Sequence, residues 1–216
     1  MAVSADATKK YTTLEREASA ELIEKKSVFI GYARPTKSDT EALDFIKRIK
    51  EKHADATHNV YAYYLRSGAM ARYSDDGEPQ GTAGMPVLEV IKKSGCDDCT
   101  VVVTRYFGGT LLGAGGLVRA YAAAAHLALE EAHIVTYEQY LVYLLECDYG
   151  EYNKIAFELE GVCAIIDSCD FADRVRLKYA VKKELGERVC HRIAELSGGR
   201  LMPLLAGERF DAEKKR

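Results

Sequence analysis

Apolar and polar positions alternate weakly from Leu14 to Ala33 around Ser27-Val28-Phe29-Ile30, which predicts two or three antiparallel strands with a turn near Lys25 and Lys26. Ser38 and Glu41 have capping-box spacing, and Ala42, Phe45, Ile46 and Ile49 follow at helical intervals, so a helix should run from there to near His53. A strand is expected from Asn59 to Leu65. The segment Arg66 to Gly84 reads as irregular, and a short helix with Pro86 near its first turn follows it. The run Val101-Val102-Val103 marks a strand from Thr100 to Tyr106, and an alanine-rich pattern from about Gly115 to Ala132 marks a long helix. Beyond it the pattern is strand (Ile134 to Cys147), helix (Tyr149 to Glu160, stopped by Gly161), strand (Val162 to Ser168), strand (Phe171 to Lys182), helix (Lys183 to Ser197, stopped by Gly198-Gly199) and strand (Arg200 to Leu205). That βαββαβ order predicts a ferredoxin-like sandwich with two helices on one sheet face. The chain therefore reads as an α+β protein of two domains, residues 1–133 and 134–216. Residues 1 to about 10 should form a polar arm, and Glu213-Lys214-Lys215-Arg216 a solvated tail.

Charge narrows the picture. A net charge of −3 and a pI near 6.0 exclude the strongly basic footprint of a general nucleic-acid-coating protein, so any nucleic-acid site must be local. No apolar run approaches the ~18 residues that span a bilayer, and Met1 to Lys10 lacks a signal-peptide core, which predicts a soluble, cytoplasmic protein with no membrane partner. Six cysteines, at 96, 99, 147, 163, 169 and 190, lack a disulfide framework and read as reduced thiols. Cys96-Asp97-Asp98-Cys99 is a CxxC, but with no second pair it makes no complete zinc site, and no metal is expected.

Candidate chemistry concentrates in three places. The first runs from Thr104 to Arg119, where Gly108, Gly109, Gly113, Gly115 and Gly116 lie between a strand and a helix start, with Arg105 and Arg119 at either end. Glycines there allow close backbone approach, and a helix N-terminus favours an anion, so the segment is a candidate phosphate or nucleic-acid site. It lacks the Lys-Ser/Thr pair of a P-loop, and Val118 stands where a dinucleotide fingerprint has glycine. The structural alternative is a tight turn with close helix packing, the arginines paired to carboxylates.

The second place is Tyr73-Ser74-Asp75-Asp76-Gly77-Glu78-Pro79. Its three carboxylates suit either a hard cation and acid–base work or an acidic turn that caps backbone donors. His58 begins a strand nearby in sequence; it is either a base or nucleic-acid contact or a residue that orders the strand entry. His58, the acidic loop and Arg105 are expected to converge at one rim of the first domain. The third place is Arg174, Arg176 and Lys178, which strand periodicity puts on one sheet face as a candidate RNA surface or a solvated one.

Taken together, Asp55-Ala56-Thr57-His58-Asn59, Tyr73 to Gly84, and Val103 to Tyr121 with its glycines closely resemble the IMPACT family, and the two-domain layout is similar to its bacterial, YigZ-like branch. The resemblance implies a first domain like domain 2 of ribosomal protein S5 and a second, ferredoxin-like domain resembling domain V of elongation factor G. Eukaryotic members regulate translation by binding the activator of a stress kinase. What the resemblance implies here is a binding protein without cofactor or enzymatic activity, whose partner is RNA, the ribosome or a translation-machinery protein. The S5-like fold is also similar to that of GHMP-type small-molecule kinases. The alternative it suggests is a phosphate- or nucleotide-binding enzyme with magnesium at the acidic loop, although the Ser-Ser of that kinase loop is absent. Cys96 and Cys99 fall outside the family motifs.

Overall fold

The computed structural model describes residues 10–212; the expected arm before Lys10 and the tail from Glu213 lie outside the described residues. Two compact units divide the chain between Thr136 and Tyr137, with Lys10 joining the second. In the first unit the strands are β1 (Tyr11–Leu14), β2 (Ala18–Glu24), β3 (Ser27–Pro35), β4 (His58–Leu65), β5 (Met70–Ser74) and β6 (Cys99–Tyr106). Its helices are α1 (Asp39–Lys52), α2 (Gly84–Lys93) and α3 (Ala114–Glu131).

Strands β2-β3-β6-β4-β5 form one antiparallel sheet in that order. The valine run makes β6 its centre, because a strand covered on both faces needs apolar residues at successive positions. Helices α2 and α3 cover one face, packing Val87, Leu117, Tyr121 and Ala124 on Phe29, Val101 and Val103. Helix α1 covers the other with Phe45, Ile46 and Ile49 against Tyr32, Tyr63 and Val102.

Local signals explain these elements. Lys25 and Lys26 both have positive φ, 46° and 69°, which matches the twist of a two-residue hairpin between β2 and β3. Ser38 Oγ accepts the Glu41 N–H at 3.2 Å and caps α1. The alanines of α3 let it lie close to the sheet: a Cβ on Gly31 of β3 would sit 2.4 Å from the Ala124 carbonyl oxygen. The segment read as irregular contains β5, an edge strand whose residues are mostly exposed and so carry no apolar alternation to reveal it.

The second unit holds β7 (Ile134–Cys147), α4 (Tyr149–Gly161), β8 (Ile165–Phe171), β9 (Val175–Lys182), α5 (Gly186–Leu196) and β10 (Leu204–Ala212). Strand β7 begins within the first unit, where the Thr12 and Thr136 hydroxyls meet at 3.1 Å. In the second unit the sheet order is β10-β7-β9-β8, and every neighbouring pair is antiparallel. Leu145, Val175, Leu177 and Tyr179 pack against Ile155, Leu159, Val189 and Ile193 of the two helices.

Several boundaries differ from expectation: β8 runs Ile165–Phe171 rather than Val162 to Ser168, β9 starts at Val175 rather than Phe171, α5 starts at Gly186 rather than Lys183, and two further differences have a visible cause. Helix α4 passes through Gly161 and is closed instead by Cys163 at φ 54°, with the Ala164 N–H returning to the Leu159 carbonyl. The final strand starts at Leu204 rather than Arg200, because Ser197 Oγ accepts the Leu201 N–H at 3.0 Å and holds the intervening residues in a loop.

Candidate functional site

The antiparallel registers place His58 of β4 and Phe29 of β3 directly opposite Arg105 of β6. Arg105 is only 5% exposed, so its charge needs a partner inside the protein. Nη1 donates to Glu78 Oε1 at 2.5 Å, and the Tyr121 hydroxyl donates to the same oxygen at 2.8 Å. Burial, reinforced by the Glu78 carboxylate, pushes the Tyr121 phenol far above its ordinary range. The guanidinium lies 5.4 Å from the Phe29 ring centroid and 5.5 Å from that of Phe107. Its Nε is buried without a hydrogen-bond partner. An orphaned donor of this kind is rare in a folded interior and calls for a ligand or strain to explain it.

His58 lies at the same place. Its Nδ1 is 2.8 Å from the Asp76 carbonyl oxygen, which only accepts, so Nδ1 carries the proton and Nε2 faces Glu78 at 3.8 Å. His58, Glu78 and Arg105 therefore come together as the sequence suggested.

The carboxylates of the acidic loop are taken up by donors of the protein itself. Asp75 accepts from the N–H groups of Gly81, Ala83 and Gly84 and so caps the start of α2. Asp76 receives Lys50 Nζ at 2.6 Å and the Asn59 N–H at 2.7 Å. With Glu78 occupied by Arg105 and Tyr121, all three carboxylates already serve protein donors. No group of three His, Cys, Asp or Glu among the described residues is arranged to hold a metal. Tyr73 is exposed on the edge strand β5 and does not line the cleft described next.

The glycines divide by role. A Cβ on Gly108 would meet the Lys26 backbone at 2.0 Å, so this glycine serves packing of the loop on the β2–β3 turn. Gly109 and Gly113 have φ of 80° and 75° and open space around their Cβ positions. A Cβ on Gly116 would meet that of Leu112 at 2.9 Å, while Gly115 is near only the Arg119 guanidinium. Gly113 is the N-cap of α3 and supplies no side-chain acceptor to its first-turn N–H groups.

Between this helix start and Arg105 lies a cleft of about 450 Å³, walled by His58, Glu78, Pro79, Phe107, Leu111 and Gly113. That size suits a small-molecule or single-residue ligand. Arg119 is not in it: it lines a separate depression of about 250 Å³ with Leu22 and Lys25, and Leu112 borders both. Phe107 and Leu111, 45% and 82% exposed, were missed as site residues. Large apolar side chains inside a glycine-rich loop were the available signal. Tyr121 left no such trace, since its helical spacing marks it only as core.

In the second unit Arg174, Arg176 and Lys178 point away from the helices, as the alternation of β9 requires. Arg174 pairs with Glu146 and Asp148 at 3.2 Å each, and Arg176 with Glu146 at 3.1 Å. The Arg209 hydrogen bonds first, and the Lys178 charge last, hold the Asp167 carboxyl below its ordinary range. Much of this face's positive charge is thus neutralised locally. The six cysteines are free, and Cys96 and Cys99 are buried. A hydrogen bond with Cys96, then burial, pushes the Cys99 thiol well above its ordinary range, so Cys99 does not behave as a ready nucleophile. No described helix is long and apolar enough to cross a membrane.

Comparison with known proteins places this geometry in a family. Residues 25–129 match the Impact N-terminal domain, and residues 145–200 match a domain of unknown function, DUF1949. The chain is 35% identical to IMPACT family member YvyE of Bacillus subtilis over 191 residues, 88% of each chain. It is 33% identical to IMPACT family member YigZ of Escherichia coli, covering 85% of this chain and 92% of that one. Protein IMPACT of Xenopus laevis is 30% identical over 122 residues, 54% of this chain and 38% of the relative. A crystal structure of a hypothetical protein, 30% identical, superposes with a TM-score of 0.58 over 93% of this chain and 98% of that one. With both domains matched in order and relatives aligned along most of their length, the chain belongs to the IMPACT family.

Proposed function

We propose that this chain is a non-enzymatic RNA-binding protein of the translation machinery, which holds an RNA phosphate in the cleft of its first unit. The translation link comes from the family resemblance. In the same reading the first unit is S5-like, and the second is ferredoxin-like, as its β10-β7-β9-β8 order favours.

The observation that carries the proposal is the unpartnered Arg105 Nε, buried beside a cleft whose far wall is the N-terminus of an 18-residue helix without a side-chain cap. Both features favour an anion, and a helix start presents its N–H groups outward to one. The commitment of Asp75, Asp76 and Glu78 to protein donors removes support for magnesium-assisted catalysis.

Ala114→Pro tests the assignment with little damage, because proline is tolerated at the first helical position and deletes one of the N–H donors. Anisotropy with labelled single-stranded RNA should show affinity falling about tenfold, the value of one charge-assisted hydrogen bond. Arg105→Lys, which keeps the charge but loses the guanidinium fork, should weaken binding similarly. Unchanged affinity in both variants, with circular dichroism confirming their folds, would remove the site from consideration.

A further inference from the structure

We infer that the cleft takes one unstacked nucleotide of single-stranded RNA, its base against Phe107 and its phosphate at the start of α3. The inference rests on the RNA reading above and specifies which form of RNA is read.

Phe107 and Leu111 are large apolar side chains exposed on the loop between β6 and α3. The loop is not slack. The Phe107 N–H donates to Thr57 Oγ1 at 3.0 Å, the Gly108 N–H donates to Ser27 Oγ at 3.2 Å, and Gly108 fits against Lys26 where no other residue fits. The backbone that carries the ring is thus held in place, with the Arg105 guanidinium over the ring at 5.5 Å. A presented, immobilised aromatic ring is the stacking platform used by proteins that bind single-stranded nucleic acid.

The remaining walls suit one nucleotide. Pro79, Leu112 and Leu117 give an apolar lining for a base, while Arg105 Nε and the first-turn N–H groups of α3 supply donors for its phosphate. A cleft of about 450 Å³ has room for a single base, and RNA bases are read by side chains when they are splayed out of the stack. The buried arginine distinguishes this from a bare helix terminus or a bare apolar groove, because Arg105, whose Nε lacks a partner, lines the same space as the apolar wall.

The chain contains no tryptophan, so Phe107→Trp places a single fluorescent reporter at the platform. A single-stranded uridine oligomer of about eight nucleotides, within the usual site size for such grooves, and a blunt RNA duplex of the same length are the probes. The single strand should quench the tryptophan emission and the duplex should not. Phe107→Ala should weaken single-strand affinity by about tenfold or more, with circular dichroism confirming the fold. Labelled single strand that still binds with tryptophan emission unchanged, and with equal affinity for Phe107→Ala, would overturn the nucleotide assignment and leave the RNA reading standing. If the unmodified protein bound neither probe, the RNA reading itself would fall, and this inference with it.

Discussion

Arg105 and Glu78 show how far a residue's role depends on what its neighbours leave undone. Each is a buried charge, and each is tolerable only because the other is present. Glu78→Ala should cost about 3–5 kcal/mol in chemical denaturation, because the guanidinium would then be buried without its carboxylate. The double variant Glu78→Met with Arg105→Met should recover much of that loss, since an apolar pair needs no compensation; an additive cost would show the pair to be independent of each other. Gly108→Ala should destabilise more than an ordinary glycine-to-alanine change, because its Cβ would overlap the Lys26 backbone and one of the two segments must move. The sequence displayed Arg105, His58 and the carboxylates as candidates and left open whether the arginines pair with carboxylates, but not which carboxylate Arg105 takes. It likewise left the acidic loop open between a cation site and a turn that caps backbone donors, because a helix-capping aspartate nine residues from Gly84 has no spacing rule to decide it.

At the scale of elements, α1 is joined to the sheet by a directional hydrogen-bond chain. Lys52 Nζ donates to the Tyr32 hydroxyl at 3.3 Å, and that hydroxyl is 2.7 Å from His53 Nε2. His53 Nδ1 is 2.9 Å from the Tyr106 hydroxyl, which donates to Asp55 at 3.1 Å. With His53 neutral the chain is satisfied by Nε2 accepting from the Tyr32 hydroxyl and Nδ1 donating to the Tyr106 hydroxyl. Burial, and then the Lys52 charge, hold its pKa below the ordinary 6.5. The unfolded chain therefore binds the proton more readily than the folded one. This contribution to stability is complete above pH 6.5, declines as pH falls from there toward the lower folded value, and is flat below it. The melting temperature should drop across that window, and His53→Gln, which titrates nowhere in it, should drop less; parallel curves would exclude His53 as the source. Helices with clear starts, such as α1 with Ser38, were legible because their caps are local. The extent of strand β10 was not: a strand was expected at Arg200 to Leu205, but Gly207 to Ala212 is polar enough to resemble a loop until β7 pairs with it.

For the molecule as a whole, charge sets a limit that the local site must satisfy. A protein of net charge −3 gains little from nonspecific attraction to a polyanion, so its RNA affinity should come from few phosphate contacts. One phosphate at α3, with at most two flanking ones, corresponds to a slope of log affinity against log salt between about −0.7 and −2 for a single strand. The second unit offers an internal control. Arg176 is exposed but bound to Glu146, and Arg174 shares the same carboxylate, so this face presents far less positive charge than its arginines suggest. Arg176→Ala should therefore leave both affinity and salt slope unchanged, whereas Arg105→Lys should reduce affinity. If Arg176→Ala instead made the slope shallower by about 0.7, one phosphate would be bound on that sheet face, and the assignment of RNA contact to the first unit alone would be wrong. The period-two pattern of β9 made the basic face visible in sequence; what it omitted was Glu146 and Asp148 on and beyond the neighbouring strand, whose position depends on the register of β7 with β9.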